Sequence, residues 1–276
     1  MILSTIATPS VEAEQIQIDV PVIDEGSGPP VVFLHGVPDH RSEWREVIDL
    51  LRTDFRCLAP DLPGFGHSPQ PPPAYDFSIR AQVAFFDDWI NRTVGNAPVL
   101  LVMHDIGAIM GMAWASHNPQ RVHGMIVMNT VLHADFQWHT MARIWRSPIL
   151  GRLFMLSLNR FAWRLAFRRD FPQVRQSQVD SMYDGLTSVA RQSILRHFRQ
   201  MTSPDFFKGW EASFTEVTQA VPTTVLWGGQ DPLIPQSYAQ RIGGTLKPMD
   251  DCSHWVPLEK PAKINDELRA MHRLSA

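Results

Sequence analysis

Sulfur is scarce in this chain. Of 276 residues two are cysteine, Cys57 in an apolar run and Cys252 near the C-terminus, too few for a disulfide framework or a CxxC metal site. Buried free thiols in a reducing compartment are the expectation. Long apolar runs are also lacking, and none approaches the roughly 18 residues of a membrane span. The first twenty residues, MILSTIATPSVEAEQIQIDV, have neither a basic start nor a sustained apolar centre, so they do not read as a secretory signal and a cytoplasmic protein is expected. Tyrosine is rare, with three residues, which limits the phenolic acids available to any site. A formal net charge of −3 gives no ground for a nucleic-acid partner.

What the chain does have is apolar content, 44% of its residues, enough for a large core. Its charge is unevenly spread. Between His133 and Thr215 eleven arginines and one lysine stand against five aspartates and one glutamate. Within that stretch MARIWRSPILGRLFMLSLNRFAWRLAFRR has seven arginines and no acid, interleaved with Trp, Phe, Leu and Met. A basic amphipathic segment of this kind could meet a membrane, a partner or an anionic substrate. The plainer expectation is a set of lid helices with apolar faces turned inward and arginines in water, making no membrane contact.

Strand-like segments are IQIDVPVI (16–23), VVFLH (31–35), FRCLAP (55–60), VLLVM (99–103), VHGMIVMN (122–129), TTVLWG (223–228) and a weaker TLKPMD (245–250). Most are too continuously apolar for a half-exposed sheet, and helices near 41–52, 79–93, 107–117 and 261–271 would cover both faces. This alternation predicts an α/β fold with a largely parallel central sheet flanked by helices and ligands at the C-terminal strand ends. The alternation stops after Asn129. From about 131 to 217 the periodicity is helical, punctuated by Pro148, Pro172 and Pro204. The expected organisation is a core of residues 1–130 and 218–276 with an inserted helical cap over 131–217.

Chemistry-bearing residues gather at strand ends. In LLVMHDIGAIMG, residues 100–111, an apolar strand runs into a sharp turn and then a small-residue helix, the form of a nucleophile elbow with Asp105 at the tip in place of serine. His35-Gly36-Val37-Pro38 follows the first apolar strand, Asp231 follows TTVLWGGQ, and His254 lies in DDCSHWVP. Nucleophile, acid and histidine thus occur in the order of an α/β-hydrolase triad.

GPPVVFLHGVPDHRSEW, APDLPGFGHS, VMHDIGAIMG, WGGQDPLIP and CSHWVPLEKP together resemble successive signatures of the α/β-hydrolase fold, over nearly all of the chain outside the cap. The HDxG elbow resembles the epoxide hydrolase and haloalkane dehalogenase branch. An aspartate suits attack on a saturated carbon: serine would leave an ether that water cannot readily cleave, whereas a carboxylate leaves an alkyl ester whose carbonyl water can attack. Asp105 would be the nucleophile, His254 the base that activates water, and Asp231 the acid that orients it. The resemblance implies an oxyanion hole of the Val37 and Ile106 backbone amides, such donors being worth about 3 kcal/mol each. It also implies a cis peptide before Pro38. Neither metal nor organic cofactor is implied.

The leaving group divides the branch. Haloalkane dehalogenases usually place a Trp directly after the nucleophile and an Asn or Trp near the HG motif, where this chain has Ile106 and Val37. Trp138 or Trp145 could substitute. Epoxide hydrolases usually protonate the ring oxygen from cap tyrosines, and here Tyr183 is the one tyrosine in the cap, with ILRHFRQM placing His197 and Phe198 where the family often has a Trp-Tyr pair. Tyr183, His139 and His197 are therefore the candidate acids, and His104, beside the nucleophile, is expected to pack or hydrogen-bond. Epoxide hydrolysis is the leading expectation, haloalkane dehalogenation the alternative, and a non-catalytic ligand-binding role the lesser one. The expected partners are a small, largely apolar substrate and water.

Overall fold

The computed structural model describes residues 16–275, so the expectations about the first fifteen residues lie outside it. Seven strands form one sheet: β1 (Val22–Glu25), β2 (Pro30–Leu34), β3 (Arg56–Pro60), β4 (Val99–His104), β5 (Val122–Met128), β6 (Thr223–Gly228) and β7 (Thr245–Met249). They are ordered β1-β3-β2-β4-β5-β6-β7, with β1 antiparallel to β3 and every other pair parallel. The expected first strand is shorter than its sequence pattern. Val22 already pairs with Pro60, the last residue of β3, so residues 16–21 run past the end of their neighbour and have no strand to pair with.

Helices α1 (Arg45–Leu51) and α11 (Pro261–Ser275) cover one face, α2 (Ile79–Val94) and α3 (Ile106–His117) the other. Central strands β4 and β6 are buried at every residue, which is why they read as continuous apolar runs. Between β5 and β6 the chain forms α4 (Thr140–Arg146), α5 (Leu150–Ser157), α6 (Arg160–Asp170), α7 (Gln176–Gly185), α8 (Ser188–Met201) and α9 (Glu211–Ala220). Pro148 and Pro172 fall in the breaks between α4 and α5 and between α6 and α7, where a missing N–H costs no helical bond. A short α10 (Val256–Glu259) precedes α11. Among the described residues no helix is long and apolar enough to cross a membrane.

One expectation fails. The basic segment does not turn all its apolar side chains inward: Ile149, Leu150, Leu153 and Leu156 of α5 and its entry, with Phe161 and Leu165 of α6, are exposed. Both helices are apolar on two sides, and a single helix between a protein interior and solvent can bury only one of them.

The sheet order places the site. The chain moves outward from β2 to β3, then returns to the other side of β2 for β4, so the connections leaving β2 and β4 diverge at one crevice. Leu34 pairs with Met103, which sets the turn after β2 beside the turn after β4. Glycine permits the approach. A Cβ on Gly107 would lie 2.5 Å from the Leu34 carbonyl oxygen, and one on Gly36 would lie 2.9 Å from Asp105 Cβ. Gly107→Ala should therefore push α3 off β2 and lower stability by about 1–3 kcal/mol. A urea titration checks this as a lowered midpoint with unchanged slope.

Candidate active site

Asp105 sits at the elbow between β4 and α3 with φ of 48° and ψ of −122°, a left-handed conformation that a non-glycine residue adopts only under constraint. Its N–H donates to the Met128 carbonyl of β5 at 3.1 Å and its carbonyl accepts from Thr130 Oγ1 at 2.7 Å. These bonds hold the turn so that the carboxylate faces the cavity. Val37 N–H donates to Asp105 Oδ2 at 2.9 Å, and the neighbouring Ile106 amide also favours the charged form of this carboxyl. The Val37–Pro38 peptide is cis.

Asp231 and His254 come from the loops after β6 and β7. His254 Nδ1 donates to Asp231 Oδ2 at 2.8 Å. Asp231 Oδ1 accepts from the Leu233 and Ile234 amides at 2.7 and 3.0 Å. The sequence reading missed Asn129, which is fully buried at the end of β5, has positive φ, and donates through Nδ2 to Asp231 Oδ2 at 2.7 Å while its Oδ1 accepts from Gly228 N–H at 3.0 Å. The available signal was a polar residue closing an apolar strand beside two chemistry-bearing strand ends.

Burial sets the electrostatics. Loss of water pushes the Asp105 carboxyl above its ordinary range, and the nearby charges of His254 and His104 and the Val37 amide oppose that rise. Burial alone would lower His254, but the Asp231 charge and hydrogen bond, with Asp105 and Glu43 beyond, raise it to about 9. Asp231 is driven upward by burial, yet His254 and Asn129 hold it below the usual carboxylate range.

His104 serves the frame, as expected. Its Nδ1 lies 2.5 Å from Glu43 Oε1, its Nε2 donates to the His254 carbonyl at 3.0 Å, and Glu43 Oε2 accepts from Gly36 N–H at 2.9 Å. Burial raises the Glu43 carboxyl, and the His104 interaction outweighs it and leaves it lowered. A buried network thus runs from the turn after β2 to the backbone of the histidine.

The cavity in front of Asp105 has a volume of about 140 Å³ and mainly apolar walls. Val37, Asp105 and His254 line it, with Trp138, His139, Trp145, Trp163, Phe167 and Trp255 among the aromatic residues opposite. Two expected acids are elsewhere. Tyr183 does not line the cavity: its hydroxyl donates to the Leu158 carbonyl at 3.4 Å and its ring lies under Arg160 and Arg191, because its position on α7 faces α6 and α8. His197 is likewise outside, buried among Phe65, Phe77, Phe198 and Phe206, and burial pushes it down to about 3. His139 does line the cavity, caps α4 by accepting from Ala142 N–H at 3.3 Å through Nδ1, and is lowered to about 4 by burial. Trp145 and Trp255 line the cavity, and their indole N–H groups are buried without a hydrogen-bond partner. No group of three His, Cys, Asp or Glu among the described residues is arranged to hold a metal ion.

Residues 29–261 match the family model described as the alpha/beta hydrolase fold. Among curated proteins, the chain is 26% identical to a cis-3-alkyl-4-alkyloxetan-2-one decarboxylase of Xanthomonas campestris, covering 90% of each. It is 24% identical to mouse epoxide hydrolase 3, over 96% of this chain and 76% of that one. It is 33% identical to a haloalkane dehalogenase of Agrobacterium fabrum over 54% of this chain and 50% of the other. A solved structure of a putative ancestral haloalkane dehalogenase superposes with a TM-score of 0.77 at 22% identity, covering 95% of this chain and 99% of that one. The chain belongs to the α/β-hydrolase fold family.

Proposed function

We propose that this hydrolase opens an electrophilic sp3 carbon through a covalent alkyl ester on Asp105. One observation carries the reading: the Asp105 carboxylate lies at the cavity with Oδ2 on the Val37 amide, while the His254–Asp231 pair lines the same cavity. The oxygen outside the amide hole attacks the carbon, and the leaving group departs with the bonding electrons. His254 then takes a proton from water, and the water oxygen bonds to the Asp105 carbonyl carbon. Negative charge develops on the oxygen held by Val37 and Ile106. Collapse expels the alkoxide, which takes the proton from His254, so the alcohol carries an oxygen from Asp105. Asn129 fixes Asp231, which fixes His254, and helices α4–α8 act as the cap that excludes bulk water.

The pair is poised for two steps of opposite demand. In the free enzyme the charge of Asp105 helps hold His254 protonated. Alkylation turns that carboxylate into a neutral ester, removes the raising charge, and lets the imidazole fall to where it accepts a proton. Ester hydrolysis should thus speed up as pH rises and level off once His254 in the ester is neutral, below about 9. Ester formation needs ionised Asp105 and should fade only on the acid side, near its raised carboxyl pKa. Stopped-flow single turnovers across pH read the two limbs separately.

The donors at the cavity favour a leaving group that departs as a stable anion. With Tyr183 and His197 outside it, no phenol lines the cavity, and besides the base His254 the one imidazole there is His139, which is neutral at pH 7. Trp145 and Trp255 line the cavity and have unpartnered indole N–H groups, donors that a small side-chain rotation would turn to a halide but that cannot hand over a proton. Haloalkane dehalogenation therefore moves ahead of the epoxide expectation, and epoxide opening assisted by His139 is the second reading. Trp145→Phe should slow ester formation from a haloalkane on the order of 10²-fold and leave an epoxide nearly unaffected.

The deciding experiment is His254→Gln with a panel of haloalkanes and epoxides, read by intact mass and peptide mapping. An adduct of alkyl mass on Asp105 supports dehalogenation, and one of whole-epoxide mass supports ring opening. Absence of any Asp105 adduct over a broad panel defeats the covalent reading.

A further inference from the structure

The exposed apolar side chains do not scatter. Ile149, Leu153 and Leu156 repeat at i, i+4 and i+7 along α5, and Phe161 and Leu165 repeat at i and i+4 along α6, with Arg168 next in the same stripe. All six large residues, Leu150 included, are between 58% and 80% exposed. The opposite faces are occupied: Gly151 and Met155 of α5 and Trp163 and Phe167 of α6 are buried, and Phe154, Leu158, Trp163, Ala166 and Phe167 line the active-site cavity.

Among the described residues, the charges left unpaired on this surface are positive. From Met141 to Arg169 there is no acidic residue. Arg160 and Arg164 are neutralised by Asp180 and Asp184, and Arg169 by Asp170. Arg143, Arg146, Arg152 and Arg168 are exposed, and among the described residues none of them has a carboxylate within ion-pair distance; Arg143 donates to the Trp138 carbonyl instead. A second copy of the chain is a poor cover. A two-fold contact sets the same patch against itself, which would bring these arginines together. Anionic headgroups answer both features, since they pair with the arginines while leucine and phenylalanine enter the acyl boundary.

We infer that the outer faces of α5 and α6 dock on an anionic lipid bilayer, with the inner faces of the same helices forming the cavity wall. Contact with the bilayer would then deliver apolar substrate to the helices that enclose the site.

The test uses the full chain and vesicles of phosphatidylcholine alone or with about one-third phosphatidylglycerol, read by flotation at low and high salt. Wild type is expected to float with the anionic vesicles, to do so much less with phosphatidylcholine, and to be released by salt. Leu156→Asp/Phe161→Asp should lower the partition coefficient at least 10-fold, and Arg152→Gln/Arg168→Gln roughly 5-fold per arginine. Unchanged melting temperatures establish that these surface variants fold. Failure to float with anionic vesicles, flotation indifferent to headgroup charge, or flotation unaffected by both double substitutions overturns the proposal. So does light scattering that shows a dimer dissociated by Leu156→Asp/Phe161→Asp, which would assign the face to a second copy.

Discussion

The hydrogen bond from the Val37 amide to Asp105 Oδ2 is the contact on which the site rests. It joins turns that follow two adjacent parallel strands, and it exists because the order in which strands are added reverses between β2 and β4. Bringing those turns together requires glycine at 36 and 107 and a left-handed backbone at Asp105. The strain is held by neighbours: the Met128 carbonyl and the Thr130 hydroxyl fix the backbone, and the Glu43–His104 pair fixes the HG turn against the backbone of His254. Such a buried polar network is stable only when its members are satisfied together, so the Val37 turn and His254 are built as one object.

That arrangement gives three ionisable groups a shared balance. Burial works against the charged forms of Asp105, Asp231 and His254, and in each case the charge of a neighbouring member opposes it. Covalent use of one member changes the proton affinity of the next, which is what the proposed two-step reaction needs from a fixed scaffold.

The helices between β5 and β6 serve two surfaces at once. Their inner faces carry the aromatic wall of the cavity, and the outer faces of α5 and α6 carry apolar and basic side chains that no other described residue covers. Core packing accounts for the first set and leaves the second without a structural role inside the monomer.

The strands, the covering helices, the elbow and the order of Asp105, Asp231 and His254 were legible in the sequence because each rests on local pattern: continuous apolar runs, small residues beside a turn, and polar residues closing strands. Asn129 was not legible, since its meaning comes from Gly228 and Asp231, 99 and 102 residues away. Nor were the fates of Tyr183, His197 and Trp145. Helical periodicity gives a residue a face but not the partner of that face, and the packing of α4, α7 and α8 decided that an indole reaches the cavity while the phenol and one imidazole do not. The sequence by itself determined the family and the identity of the carboxylate at the elbow. Which donors line the cavity, and which side of α5 and α6 faces water, were decided by tertiary structure, because both depend on contacts between segments with no fixed spacing along the chain.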